Sequence, residues 1–158
     1  MKKIKSVIVG SGVIGAYLAE LLVQKGHEVI VTSRFKKKNY KNYINLKLSK
    51  KVHFKKLSIL NKKNIENFIL KENPNIIFYF AGQSSLPKSF VLPQKTYESN
   101  YLGAKYFLEI INKNKFNTKF FKANSGYIFK PNKGRIDLNS KLVKPNNPYV
   151  KAQQKAYQ

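Results

Sequence analysis

Residues 4–34 read IKSVIVGSGVIGAYLAELLVQKGHEVIVTSR, and this segment predicts a strand, a glycine turn, a helix and a second strand. The β-branched runs at 7–9 and 29–31 are typical of strands that are buried on both faces of a sheet. A helix is predicted over Ala16–Lys25, where apolar residues repeat on one side. Gly26 follows at the position where a left-handed residue ends a helix at least cost. The segment therefore predicts a βαβ unit.

The first turn of this unit has the pattern G-x-G-x-x-G, which is typical of dinucleotide-binding turns. Gly10 permits the tight turn, Gly12 lets the backbone approach a pyrophosphate, and Gly15 lets helix and strand pack closely. The helix N-terminus offers unpaired N–H groups and a partial positive charge to phosphates. We predict that a dinucleotide binds to the whole turn, which consists of Gly10, Ser11, Gly12, Val13, Ile14 and Gly15. A glycine turn that serves packing alone is the alternative.

Predicted strands and helices alternate along the rest of the chain. Strands are predicted over 52–60, 75–80 and 119–123, and helices from Ile65 to before Pro74, over Thr96–Lys113 and from Pro148 onward. The basic connection between Arg34 and Lys51 shows too little periodicity to be assigned. The alternation predicts an α/β fold with a doubly wound parallel sheet over residues 1–158, without a linker that divides the chain.

Lysine dominates the charge of the chain. In total, 31 Lys and Arg residues against 7 Asp and Glu residues give a formal net charge of +24. The lysines lie along the whole chain, most densely over 34–63, and no nucleic-acid-binding motif accompanies them. We therefore expect a solvated basic surface and no specific nucleic-acid partner.

Other features of the composition argue against several classes of protein. The chain has no cysteine and only two histidines, so the sequence predicts neither a disulfide framework nor a metal site. No apolar run approaches the roughly 20 residues of a membrane span. The N-terminus leads directly into a strand, so no signal peptide is predicted. We expect a cytoplasmic protein without membrane contact.

Four stretches together carry a resemblance to a known family. They are 12–22 (GVIGAYLAELL), 81–84 (AGQS) with Ser89, Phe90 and Pro93 behind it, 100–104 (NYLGA), and 123–125 (ANS) with Pro148-Tyr149. In this order they resemble the extended short-chain dehydrogenase/reductases that modify nucleotide sugars, the NAD-dependent epimerase/dehydratase family, and most closely the GDP-mannose 4,6-dehydratases. The resemblance implies a Rossmann-like NAD(P)-binding domain over residues 1–158 that ends inside the helix after Tyr149, with the C-terminal substrate domain missing. It also implies a nucleotide-sugar substrate and a homo-oligomer when the protein is full length.

The resemblance also assigns roles to individual residues. Ser125 and Tyr149 stand at the positions of the family's catalytic hydroxyl and tyrosine, and Gln153 stands one helical turn after Tyr149. Cofactor contacts are implied for Ala81, Gly82, Gln83 and Asn100, and substrate contacts for Ser84, Ser85 and Tyr127. In this scheme a hydride passes between NADP and carbon 4 of a nucleotide-linked hexose, while Tyr149 removes the hydroxyl proton and Ser125 orients that oxygen. The alternatives are a turn cap for Ser125 and loop hydrogen bonds for Gln83 and Ser84.

The chain departs from the family's pattern in a glycine turn that is one residue shorter, in Ser58, which replaces an acidic residue after the third strand, and at two positions that bear on activity. The family has a lysine where this chain has Gln153, and such an ammonium lowers the pKa of a tyrosine from its reference value of about 10. Gln153 adds no charge, and neither Lys151 nor Lys155 lies one turn from Tyr149. The dehydratases have a glutamate where this chain has Tyr127, so epimerase or reductase chemistry stays open. A degenerate or truncated NAD(P)-binding protein without turnover is the alternative to an active dehydratase (lyase) or epimerase (isomerase).

The end of the second predicted strand bears on the choice of cofactor. No Asp or Glu lies there to accept a hydrogen bond from the 2′-hydroxyl of an adenosine ribose. Arg34, together with Lys36, suits a 2′-phosphate instead. The sequence therefore predicts NADP, with NAD as the alternative.

Overall fold

The computed structural model describes residues 3–35, 40–137 and 139–158. The strands in these ranges are β1 (Lys5–Val9), β2 (Glu28–Ser33), β3 (His53–Lys56), β4 (Ile76–Tyr79) and β5 (Lys119–Lys122). They form one sheet in the order β3-β2-β1-β4-β5, and every neighbouring pair is parallel. The order changes direction at β1, which is bonded to both β2 and β4. The predicted doubly wound parallel sheet is therefore confirmed.

The helical elements follow in chain order. They are α1 (Val13–Gln24), α2 (Lys41–Asn45), α3 (Lys62–Glu72), α4 (Leu86–Val91), α5 (Pro93–Tyr97), a π-helical turn (Glu98–Leu102), α6 (Gly103–Lys113), a 3₁₀ turn (Gly126–Ile128) and α7 (Pro148–Tyr157). The chain forms two compact units. We name them the sheet unit (Met1–Ala81 with Tyr106–Ala123) and the helical unit (Gly82–Lys105 with Asn124–Gln158).

Helices pack on both faces of the sheet unit. On one face, Ile8 lies in a buried cluster with Ala16 of α1 and Tyr43 of α2. On the other face, the ring of Tyr79 lies 5.9 Å from the ring of Phe107 in α6, measured between centroids. The register aligns Ile8 with Phe78. Because successive strand residues point to opposite faces, Ile8 and Tyr79 lie on opposite faces of the sheet. Both faces of the parallel sheet therefore contribute to the apolar core, as such sheets require.

The end of α1 has the left-handed turn that the sequence predicts. Gly26 has φ +79°, its N–H donates to the Val23 carbonyl, and the His27 N–H donates to the Leu22 carbonyl, both at 3.0 Å. These two bonds close the last helical turn. α1 begins at Val13, three residues before the predicted start, because the second half of the glycine turn is already helical.

Three stretches differ from the predicted elements. β3 is shorter than the predicted strand over 52–60, and Asn61 then caps α3 by accepting a hydrogen bond from the Asn64 N–H at 2.9 Å. The unassigned basic connection contains α2. The predicted helix over Thr96–Lys113 is interrupted by the π-helical turn, and α4, which the sequence analysis missed, precedes it. Short elements with little periodicity account for these differences.

A buried carboxylate links three elements of the sheet unit. Glu72, at the end of α3, is 7% exposed, and its carboxylate lies 2.5 Å from the Lys55 Nζ of β3. The Lys5 Nζ of β1 lies 3.8 Å from the other carboxylate oxygen and 3.3 Å from Glu28. A buried charge is tolerated when it is paired and hydrogen-bonded. Lys55 and Lys5 provide the positive charges that pair with Glu72.

The helical unit has a small core of its own. Ile128, Tyr149 and Val150 form a buried cluster, against which four partly buried side chains pack: Leu86, Phe129, Leu142 and Val143. α7 contacts α4, α5, the π-helical turn and the 3₁₀ turn. This packing fixes the residues at the start of α7. In the part of the chain that the structure describes, no helix is both long enough and apolar enough to cross a bilayer.

Candidate functional site

The glycine turn lies between β1 and α1, where the strand order changes direction. Gly10 follows β1 with φ +111°, and its N–H donates to the Thr32 carbonyl at 3.0 Å. An ideal Cβ on Gly10 would lie 2.9 Å from the Ala81 nitrogen and 3.0 Å from the Phe80 carbonyl carbon. Both the backbone angle and the close approach of the chain after β4 therefore call for glycine at this position.

Gly12 and Gly15 have opposite surroundings. A Cβ on Gly15 would lie 2.7 Å from the Gly10 carbonyl oxygen and 3.1 Å from Ile8, so glycine lets α1 pack closely on β1. A Cβ on Gly12 would meet no atom within 4 Å, and Gly12 caps α1 without a side-chain hydrogen bond. The first N–H groups of α1 are thus left for a ligand. The space beside Gly12 is open, as a phosphate that approached these N–H groups would require.

The remaining residues of the predicted turn are placed to act through their backbone. Ser11 is half-buried, and the side chains of Val13 and Ile14 are exposed. Val13 and Ile14 begin α1, and first-turn N–H groups have no carbonyl acceptor within a helix. Phosphate binding by backbone N–H groups is the interaction that this arrangement offers.

The end of β2 carries a cation and no carboxylate. The Phe35 N–H donates to the Ser33 hydroxyl at 3.3 Å, which forms a short turn after the strand. Arg34 is exposed, and its guanidinium carbon lies 5.6 Å from the centre of the Phe35 ring. The predicted contribution of Lys36 lies outside the described residues. Of the two residues predicted to contact a 2′-phosphate, Arg34 is the one among the described residues.

The helical unit brings Gln83 and Asn100 together. Asn100 is buried in the π-helical turn, its Nδ2 donates to the Gln83 carbonyl at 2.9 Å, and its Oδ1 accepts from the Gln83 N–H at 2.8 Å. An ideal Cβ on Gly82 would lie 2.6 Å from that Oδ1. A π-helical turn is often found at functional sites, and this one directs a side-chain amide at a loop backbone.

The two serines that were predicted to contact substrate differ in their surroundings. Ser84 is exposed, whereas Ser85 is half-buried and caps α4 by accepting a hydrogen bond from the Lys88 N–H at 3.4 Å. The backbone of Ser85 is further bonded to the Gln83 side chain, whose Nε2 donates to the Ser85 carbonyl at 2.7 Å and whose Oε1 accepts from the Ser85 N–H. Ser84 is thus the better placed of the two to contact a ligand.

Ser125, Tyr149 and Gln153 all lie in the helical unit. Ser125 precedes the 3₁₀ turn, and its hydroxyl accepts from the Tyr127 N–H at 3.2 Å, which is the capping role considered above. Tyr149 is the second residue of α7 and is 8% exposed. Gln153 follows one turn later, and its carbonyl accepts from the Asn124 Nδ2 at 3.4 Å. Tyr127, a predicted substrate contact, has an exposed side chain.

Two lysines of α7, Lys151 and Lys155, lie near Gln153 in the sequence. Lys155 Nζ lies 5.9 Å from the ring centres of both Tyr97 and Tyr101, on the side where α7 meets α5 and the π-helical turn. Lys151 is exposed. As predicted from the helical period, neither lies one turn from Tyr149.

Three polar residues at these loops escaped the sequence analysis. Thr96 is buried one turn before Asn100, a spacing that signals a shared face of the helix. Gln154 is buried, and its Nε2 donates to the Val143 carbonyl at 2.6 Å, a contact that no local pattern indicates. Lys122 ends β5 and donates to the Ala123 carbonyl at 2.9 Å, and its burial lowers the pKa of its ammonium to about 8.

A family model described as GDP-mannose 4,6 dehydratase matches residues 7–158. The chain belongs to this family. The predicted membership of the extended short-chain dehydrogenase/reductases is therefore confirmed. The match covers the glycine turn, the loop after β4 and the start of α7.

Individual relatives are distant. UDP-glucose 4-epimerase of Mycoplasma genitalium is 26% identical over 126 residues, which cover 78% of this chain and 36% of that protein. dTDP-D-glucose 4,6-dehydratase of Dictyostelium discoideum is 28% identical over 155 residues, with 89% and 35% covered. The crystal structure of UDP-glucose 4-epimerase from Brucella ovis in complex with NAD has a TM-score of 0.82 at 20% identity, with 98% and 46% covered. The chain therefore spans about a third of the length of these curated relatives, and the structural likeness shows the fold.

Proposed function

We propose that the chain is the NAD(P)-binding part of a nucleotide-sugar epimerase or dehydratase that works at carbon 4 of the sugar. The observation that carries this proposal is the open glycine turn, where the space around Gly12 and the uncapped start of α1 suit a pyrophosphate. The family match and the epimerase and dehydratase names of the relatives support the sugar chemistry.

The hydroxyl groups of Tyr149 and Ser125 are assigned to the reacting alcohol. Tyr149 removes the proton from the hydroxyl at carbon 4, and Ser125 donates a hydrogen bond to the same oxygen and orients it. A bound nicotinamide nucleotide supplies the acceptor for the hydride from that carbon. Gln153 provides an amide but no positive charge to stabilise a phenolate, so the proton transfer to Tyr149 is slower than it would be beside a lysine.

The nearest substrate assignment is GDP-mannose in a 4,6-dehydration, because the matching family model carries that description. Epimerisation of UDP-glucose is the second candidate. It is favoured by the exposed Tyr127, which stands where a dehydratase needs a glutamate to remove the proton at carbon 5, and by the name of the Mycoplasma relative. Both reactions begin with oxidation at carbon 4, so Tyr149 has the same task in each.

A binding protein without turnover is the competing function. Gln153 favours it specifically, since the cation expected one turn after Tyr149 is absent and Lys155 lies against Tyr97 and Tyr101 instead. Such a protein would bind the nucleotide at the glycine turn and leave sugars unchanged.

In the decisive assay, the purified protein and its Tyr149→Phe and Gln153→Lys variants are incubated with GDP-mannose or UDP-glucose in the presence of NADP or NAD. Products are followed by NMR. Residues 1–158 alone span about a third of the relatives' length and should show little or no turnover, because hydride transfer needs the sugar held against the nicotinamide. In a protein of the relatives' full length we expect turnover of one sugar nucleotide that Tyr149→Phe abolishes and Gln153→Lys increases. Turnover that survives Tyr149→Phe would refute the assignment of that residue, and nucleotide binding with no turnover in the full-length parent would establish the competing function.

For the cofactor we propose NADP, with NAD as the alternative. Arg34 at the end of β2, where no carboxylate lies, supports a 2′-phosphate contact. The Brucella ovis enzyme was solved with NAD, which is why both nucleotides must be compared. We expect tighter binding of NADP, and we expect Arg34→Ala to narrow the difference. Equal affinity for both nucleotides in the parent would refute the preference.

A further inference from the structure

Two buried side chains of the helical unit hold the loop that follows β4. Thr96 of α5 and Asn100 of the π-helical turn lie four residues apart, and both are hydrogen-bonded to Gln83. Asn100 binds the backbone of Gln83, whereas Thr96 binds its side chain. One side of a single helical segment therefore holds both the backbone and the side-chain amide of Gln83.

The Thr96 hydroxyl has a defined direction. It donates to the Leu92 carbonyl at 2.9 Å, which leaves its oxygen to accept from the Gln83 Nε2 at 3.2 Å. The same Nε2 donates to the Ser85 carbonyl, and the Gln83 Oε1 accepts from the Ser85 N–H. Both ends of the half-buried Gln83 amide are therefore hydrogen-bonded to the loop or to the helix, and such a network restricts the motion of its members.

Ser84 stands between the two fixed residues of this network. Gln83 is hydrogen-bonded to Thr96 and Asn100, and Ser85 is hydrogen-bonded to Gln83, while Ser84 itself is exposed. The network therefore determines where the Ser84 side chain is presented.

We infer that Thr96 and Asn100 are positioning residues that act through Gln83 to present Ser84 to the nucleotide-sugar ligand. This inference rests on the proposed function, because it takes the ligand to be a nucleotide sugar. It changes the predicted roles of Gln83 and Asn100 from cofactor contacts to supports of the loop. It also assigns a role to Thr96, which no motif had singled out.

Thr96→Val tests the inference, because valine has the shape of threonine without the hydroxyl, and Thr96→Ser is the matched control that keeps it. The probes are UDP-glucose and GDP-mannose, titrated by calorimetry, with NADP titrated separately. We expect Thr96→Val to weaken binding of the sugar nucleotide by about 5-fold, the typical worth of one neutral hydrogen bond, and to leave NADP binding unchanged. Thr96→Ser should bind within about 2-fold of the parent.

A double-mutant cycle tests whether the effect passes through Ser84. We expect Ser84→Ala to weaken binding of the sugar nucleotide by a similar factor, and we expect the combined variant with Thr96→Val to be no weaker than either alone. Additive losses would overturn the inference, since they would mean that Thr96 acts independently of Ser84. A parallel loss of NADP affinity would also overturn it, because Gln83 would then support the cofactor.

Amide hydrogen exchange at residues 83–85 gives a readout that needs no ligand. We expect faster exchange at Gln83 and Ser85 in Thr96→Val and parent-like rates in Thr96→Ser. If the parent binds neither sugar nucleotide, the proposed function fails while the exchange rates still decide the positioning role. Unchanged exchange in Thr96→Val would overturn that role. If Thr96→Val does not fold, Asn100→Asp replaces it as the test variant. It keeps the acceptor for the Gln83 N–H and loses the donor to the Gln83 carbonyl.

Discussion

Replacing Gly10 by alanine tests whether the chain after β4 approaches the glycine turn as closely as the structure has it. A non-glycine residue at φ +111° costs about 1–3 kcal/mol in backbone strain. The added methyl would also lie 2.9 Å from the Ala81 nitrogen and 3.0 Å from the Phe80 carbonyl carbon. Both are backbone atoms, which cannot swing aside, and overpacking of this kind costs about 1–3 kcal/mol more. We therefore expect Gly10→Ala to lower the free energy of unfolding by about 4 kcal/mol.

Gly26→Ala is the matched control for the backbone angle. Gly26 has φ +79°, but a Cβ there would meet no atom within 4 Å, so we expect a loss of only about 1 kcal/mol. Urea unfolding followed by circular dichroism measures both variants against the parent. A difference of about 3 kcal/mol between them would isolate the close approach of the two backbones. Equal losses would refute the packing of Gly10 against the end of β4.

Three further predictions concern buried polar groups of the sheet unit. Glu72→Gln should lower the free energy of unfolding by about 2 kcal/mol at pH 7, because Lys55 and Lys5 lose the negative charge with which both are paired. An unchanged urea midpoint would contradict these ion pairs. Tyr43→Phe should raise the free energy of unfolding by about 1 kcal/mol, because the fully buried hydroxyl has no hydrogen-bond partner among the described residues. A lower free energy of unfolding in the variant would show that the hydroxyl is hydrogen-bonded. Burial lowers the pKa of Lys122 to about 8, so acetic anhydride should label this amine half-maximally near pH 8, read by mass spectrometry. Labelling of Lys122 that rises only at the pH of exposed lysines would contradict that value.

Much of the sheet unit could be predicted because its signals are local. The βαβ unit combines β-branched runs, a glycine motif and Gly26, and each of these restricts the backbone directly. The structure accordingly has Gly10, Gly15 and Gly26 in the conformations or contacts that the sequence indicates. By contrast, α2 and α4 are only five and six residues long, too short to show a helical period, so their existence depends on tertiary packing.

The sequence names candidate site residues but not their hydrogen-bond partners. It predicts that Gln83 and Asn100 belong to the site, and the structure adds that their hydrogen bonds to each other join residues 17 positions apart. Likewise, nothing in the sequence states that Thr96 points at Gln83 or that Lys155 lies against Tyr97. Such contacts arise from the packing of α5 and α7 and can be read only from a structure.

Calorimetric titration of NADP into the parent and into Gly12→Ala tests most directly whether the glycine turn binds a nicotinamide dinucleotide. A Cβ at Gly12 meets no protein atom within 4 Å, so the variant should keep its free energy of unfolding within about 1 kcal/mol. The same methyl would occupy the space of the pyrophosphate, so the affinity for NADP should fall by at least about 10-fold. Saturable binding in the parent that is lost in the folded variant is the predicted result. No binding in the parent, or equal binding in both proteins, would show that the glycine turn does not hold the dinucleotide.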